Sequence, residues 1–136
     1  MTPDKLFEAL AALADRVVFD RRWQDQNDDL GVAVLGMLLY GYGLGTGRLI
    51  LLLDMEDIDA AVTRCLVERV GVAVKWAGGL VADANRSAFD VGYHPGQHEL
   101  IGVGHQYMGE DNVGKLVGNV FANIESVRRR AEAPDA

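Results

Sequence analysis

The chain has 136 residues, of which 49% are hydrophobic and 24% charged, enough for one globular domain and too apolar for a disordered chain. Asp and Glu outnumber Lys and Arg by 20 to 13, a net charge of −7. That balance disfavours nucleic acid and anionic lipid as partners, since both call for a basic surface. A single cysteine, Cys65, excludes an internal disulfide framework and a cysteine-only zinc site.

The charge is uneven. Residues 1–68 carry a net −6 and residues 69–136 a net −1. Electrostatic steering is therefore expected mainly from the first half. No charged segment followed by a short apolar run opens the chain, so no secretory signal is read there and a cytoplasmic location is expected.

The first element reads as a helix. Thr2 is placed to cap it and Pro3 suits its first turn. Leu6, Leu10, Leu13 and Val17 share one stripe, with Phe7 beside it. Val18, Phe19 and Trp23, set among charges, read as a short strand or a fraying helix end. Residues 25–29 read as a polar loop.

Val32–Tyr42 and Arg48–Asp54 are strand candidates, joined by a turn at Gly43–Gly47. A buried helix over Leu30–Tyr40 competes for the first of these. The 23 residues 31–53 hold one charge, Arg48, and have the length of a bilayer span. The glycines at 36, 41, 43, 45 and 47 argue instead for two strands and a turn, with no membrane partner.

Asp54, Glu56 and Asp57 open a second helix where its dipole favours acid. Its apolar face is Ile58, Val62, Cys65, Leu66 and Val70, and Gly71 is its stop. Residues 72–85 fit a strand, a loose helix or a loop. Ala88–Tyr93 and Glu99–Tyr107 flank Pro95-Gly96 and read as a hairpin. A last helix runs from about Glu110 to Arg130, with Val113, Leu116, Val117, Val120, Ile124 and Val127 buried. Residues 131–136 read as a disordered tail. The expected fold is one α+β domain over 1–130, an antiparallel sheet with helices in the order α-β(2–3)-α-β-β-α.

Catalytic motifs are sparse. His94 and His98, facing each other across the hairpin, could offer metal ligands with Glu99 and His105, but no fixed metal spacing is present and His98 and His105 would point to opposite strand faces. Gly41–Gly47 lacks the Lys-Ser/Thr of a phosphate loop and the spacing of a dinucleotide fingerprint. Cys65 lies on a buried stripe, and no Gly-x-Ser-x-Gly elbow surrounds Ser87 or Ser126. The expectation is a non-enzymatic protein with no cofactor and no metal.

The middle stretches Leu30–Val34 and Arg48–Asp54, the pair Ala88–Tyr93 with Glu99–Val103, and the closing helix Val113–Arg130 resemble the class I chaperones of type III secretion, the Tir chaperone family, which shares the YbjN-like fold. That resemblance implies a homodimer that holds the extended N-terminal segment of a secreted effector, with Val62 and Leu66 at the dimer interface. Leu6, Phe7, Leu10 and Leu13 are the expected partner surface, with Asp25, Asp28 and Asp29 as an acidic rim. The competing expectation is a toxin-neutralising (immunity) or antidefence protein that blocks a basic toxin by charge and apolar complementarity. A third, a small enzyme built on the histidines, requires His94, His98 and His105 to converge.

Overall fold

Residues 2–132 are described by a computed structural model, and every regular element among them is helical. The sheet expected from the sequence is absent from the described residues, and the fold is all-α, not α+β. The cap expected at the Thr2 side chain and the tail residues 133–136 lie outside the described residues. Residues 131 and 132 of that tail close the last helix.

Helix α1 (Thr2–Val18) forms as its stripe predicts, with Leu6, Leu10, Ala14 and Val17 fully buried. A single turn, α2 (Trp23–Gln26), carries the buried Trp23. Asp28 then caps α3 (Asp29–Gly45), its carboxylate accepting from Gly31 N–H at 3.0 Å. α3 continues without a break through a wider π turn, Thr46–Ile50. α4 (Met55–Cys65) starts where the acids suggest, Asp54 Oδ1 accepting from Asp57 N–H at 2.9 Å. It too widens into a π turn, Leu66–Val70, and ends at Gly71, whose φ of 88° is open to glycine. α5 (Val74–Phe89), α6 (Pro95–His105) and α7 (Val113–Glu132) complete the chain.

The architecture is a helical bundle around α3. This helix is apolar on every side, and α1, α4, α5, α6 and α7 pack around it. Its continuous apolar run is what suggests two buried strands, because periodicity does not separate a buried strand from a buried helix. Length does separate them. Asp29–Ile50 is one helix of 22 residues, long and apolar enough to cross a bilayer, and 72% of its most apolar window is buried inside this fold.

The glycines that look like a turn serve helix packing. Gly41 and Gly45, one turn apart, lie against α6. A methyl group at Gly41 would overlap the Ile101 carbonyl, and one at Gly45 would press on His105. Gly43 and Gly47, also one turn apart, lie against Val62, Leu10, Ile58 and Leu6 of α1 and α4. Alternate glycines on a helix thus give two smooth stripes on different faces. On α6, Gly104 meets the Leu38 backbone in the same way.

The expected hairpin at 88–107 is overturned by a capping signal. Pro95 occupies the first turn of α6, where its missing N–H is harmless. His94 is the N-cap, its Nδ1 accepting from Gln97 N–H at 3.1 Å. Residues 72–85 belong mostly to α5, whose buried stripe is small: Ala77, Val81, Ala84 and Ser87.

Candidate functional site

The apolar residues expected to meet a partner lie inside the fold. Leu6 and Leu10 are 0% exposed, Leu13 and Phe7 little more. They pack on α4, and the Arg64 guanidinium covers the Phe7 ring at 3.8 Å. Val62 and Leu66, the expected dimer contacts, are also fully buried. With no sheet among the described residues to share the burial, the stripe of α1 is used up against α4 and its π turn, α7 and α3.

The three acids expected to form a rim lie around the α2–α3 junction. Asp25, Asp28 and Asp29 are exposed there. Asp28 is engaged twice, as the cap of α3 and as the bidentate acceptor of Arg128, both bonds 2.8 Å. Hydrogen bonds from Arg128 and from Gly31 N–H hold its carboxyl well below the usual carboxylate range.

The three histidines spread along α6 instead of converging. His94 caps the helix, His98 Nδ1 lies 2.8 Å from the Ser87 carbonyl oxygen, and His105 ends the helix beside Gly45. No group of three His, Cys, Asp or Glu side chains among the described residues is arranged to hold a metal. Cys65 is buried, and burial pushes its thiol up to about 12, so it is no nucleophile near neutrality.

Phe19, Val74 and Val91 are exposed singly or in other loops, and a run of exposed apolar residues lies at the far end of α3. There the π turn Thr46–Ile50 and the loop to α4 meet the end of α5. Leu49 is 60% exposed, Ile50 56%, Leu52 82% and Phe89 58%. The backbone is tight underneath: Leu51 N–H donates to the Thr46 carbonyl at 3.0 Å and Leu53 N–H to that of Gly47 at 2.8 Å. Closing this turn sets Leu52 at φ 58°, the one non-glycine residue with positive φ among those described. The Thr46 hydroxyl is buried beside it with no hydrogen-bond partner.

Between these segments opens a cleft of about 650 Å³ lined by Arg48, Leu53, Asp54, Met55, Asn85 and Phe89. Arg48 extends over the Phe89 ring, 5.8 Å from its centre. Asn85 connects the cleft to a partly buried polar group inside the bundle. Its Nδ2 donates to Tyr40 Oη at 3.0 Å and to Asp59 Oδ2 at 3.2 Å, while Tyr40 donates to Asp59 Oδ1 at 2.7 Å. Burial raises the Asp59 carboxyl above its ordinary value, and the bonds from Tyr40 and Asn85 oppose that rise. Burial, then the neighbouring Asp59, raises the Tyr40 hydroxyl. The triad locks α3, α4 and α5 together, and both Asp59 oxygens are engaged within it.

Arg48 and Asp54 stand on the cleft wall beside the exposed apolar side chains, and the exposed Asp90 follows Phe89 directly in the chain. This arrangement can bury apolar side chains of a partner and pair with its basic groups. It supplies no free nucleophile. Sequence reasoning misses it because Arg48–Asp54 reads as an interior strand. The one legible signal is that its five apolar residues are bracketed by opposite charges, Arg48 and Asp54.

Comparison of the chain with protein-family models, with curated proteins and with solved structures finds no match. The segments 88–93 and 99–103, which carry much of the resemblance to the Tir chaperone family, fall in helices α5 and α6 and the turn between them. The α+β fold which that resemblance implies is not the fold of this chain.

Proposed function

We propose that the protein is a non-enzymatic, cytoplasmic binding module that seats a basic, apolar-centred face of another protein on the Leu49–Leu52 and Phe89 corner. In this reading it acts as a toxin-neutralising or antidefence protein. The observation that supports it most is Leu52, a leucine 82% exposed at a left-handed φ. Holding it there costs about 1–2 kcal/mol, offset in part by the backbone hydrogen bonds of Leu51 N–H and Leu53 N–H that close the turn.

Charge argues for the kind of partner. Asp54 lines the corner's cleft and Asp90 directly follows Phe89 in the chain, on a protein of net charge −7. Those carboxylates repel anionic lipid and attract a basic protein face. A peptide strand has no sheet edge to join among the described residues, so an effector segment held by β-addition is not carried forward.

A photo-crosslinking residue in place of Leu52, expressed in cells of the source organism, tests the proposal. The expected result is a discrete adduct with a second protein whose contact segment carries Lys or Arg beside apolar residues. A crosslinker in place of the exposed Ala12 should give no such adduct, and Leu49→Ser with Ile50→Ser should reduce it at least tenfold. Equal adducts from positions 12 and 52, adducts with lipid alone, or none at all would overturn the proposal.

A further inference from the structure

A second cleft lies at the other end of α3, distant from the corner. Its volume is about 440 Å³, within the range of small-molecule sites. Leu30, Ala33, Val34 and Met37 of α3, Leu100 of α6 and Val127 of α7 make its apolar walls. Only three side chains on its lining are polar: His94, Gln97 and Arg130.

The hydrogen-bond state of those three selects the ligand. Gln97 is held toward other partners: its Oε1 accepts from the buried Ser87 hydroxyl at 2.6 Å and its Nε2 donates to Asp83 at 2.9 Å. His94 Nδ1 accepts from Gln97 N–H, so the neutral ring carries its proton on Nε2 and can only donate from there. Arg130 donates from Nε to the Ser126 carbonyl of its own helix at 3.4 Å, and no carboxylate among the described residues pairs with it. His94 and Arg130 thus offer the cleft donors only, one of them a full positive charge. Apolar walls with a donor-only end match an amphipathic monoanion.

We propose that this cleft binds a medium-chain carboxylate, with the alkyl chain against Leu30, Val34, Met37 and Val127 and the carboxylate at Arg130 and His94. Each buried methylene should tighten binding about fourfold until the cleft is filled. The charged hydrogen bond at Arg130 should favour a carboxylate over the matching alcohol about tenfold or more.

Titration calorimetry with octanoate, decanoate and decanol, all below their aggregation concentrations, tests this. Expected are one site per chain, decanoate binding roughly fifteenfold tighter than octanoate, and decanol clearly weaker than decanoate. Arg130→Gln, at an exposed position that leaves the core intact, should remove the preference for carboxylate while decanol binding stays the same. Ala33→Trp, on the half-buried wall, should abolish binding of all three. Equal affinities for decanoate and decanol in the unaltered chain, unchanged binding in Ala33→Trp, or retention on phosphatidylglycerol vesicles without binding of free decanoate would overturn the proposal.

Discussion

Gly41 and Gly102 have the same side chain and opposite roles. At Gly41 the backbone of Ile101 occupies the space a methyl group would need, and backbone cannot swing aside. Gly102 stands exposed on α6 with nothing within 4 Å of an added methyl group. Gly41→Ala should therefore force α3 and α6 apart and cost about 3 kcal/mol, the upper end of ordinary overpacking. Gly102→Ala should stabilise by about 0.5–1 kcal/mol through helix propensity. Urea unfolding of the two variants checks both signs. A turn at 41–47, the reading the sequence invites, would predict similar small losses for alanine at Gly41 and at Gly43. The glycines are visible in the sequence, but the Ile101 backbone that Gly41 faces belongs to another helix sixty residues on.

Among the elements, the end of α3 carries the tension in the molecule. The π turn Thr46–Ile50 buries Thr46 without a partner for its hydroxyl and delivers Leu52 at positive φ. π turns are uncommon and cluster where helices serve a function. If the strain at Leu52 is kept for a partner, relieving it should separate stability from binding. Leu52→Gly fits the left-handed backbone without the Cβ clash and should raise stability by about 1 kcal/mol. The same variant should weaken capture of the protein partner, because the most exposed apolar side chain of the corner is gone. Thermal melts and crosslinking from a neighbouring position such as Leu49 measure the two effects apart. A fall in stability would show that Leu52 makes contacts that hold the loop.

Across the whole molecule, Asp28 and Arg128 tie the start of α3 to the last turns of α7, a hundred positions away in the chain. Asp28 has a depressed folded-state value, so its contribution is complete above the unfolded carboxyl value of about 3.9. It is lost as pH falls through the lower folded value. Asp20, held at about 2 by hydrogen bonds from Arg22, acts in the same direction. Asp59 has a raised value, so its contribution runs the other way and is lost as pH rises through that folded value. Asp28→Asn keeps a good helix cap and removes only the charge pair. With Asp28 more than half exposed, the loss at pH 7 should stay below about 1 kcal/mol. The variant should also lose less stability than the unaltered chain between pH 5 and pH 2.5. Melting curves across that range check this.

The sequence by itself determined the helices that announce their own ends. α1 has a one-sided stripe, α4 an acidic cap and a glycine stop, and α7 a stripe with arginines in its last turn. Those signals are local, each read within a few turns of one helix. The exposure of Asp25, Asp28 and Asp29 was legible for the same reason, since charge seldom goes inside. Tertiary structure decided the rest. A helix buried on all sides loses its periodicity, so Leu30–Leu53 carries no letter that separates helix from strand. Pro95-Gly96 opens a helix as readily as it makes a turn, and only the cap at His94 tells which. Which apolar residues remain outside is also a matter of supply. Leu6, Leu10 and Leu13 are covered because α4 lies over them, whereas Leu49, Ile50 and Leu52 extend past the end of the bundle, where the described chain has no further helix to cover them.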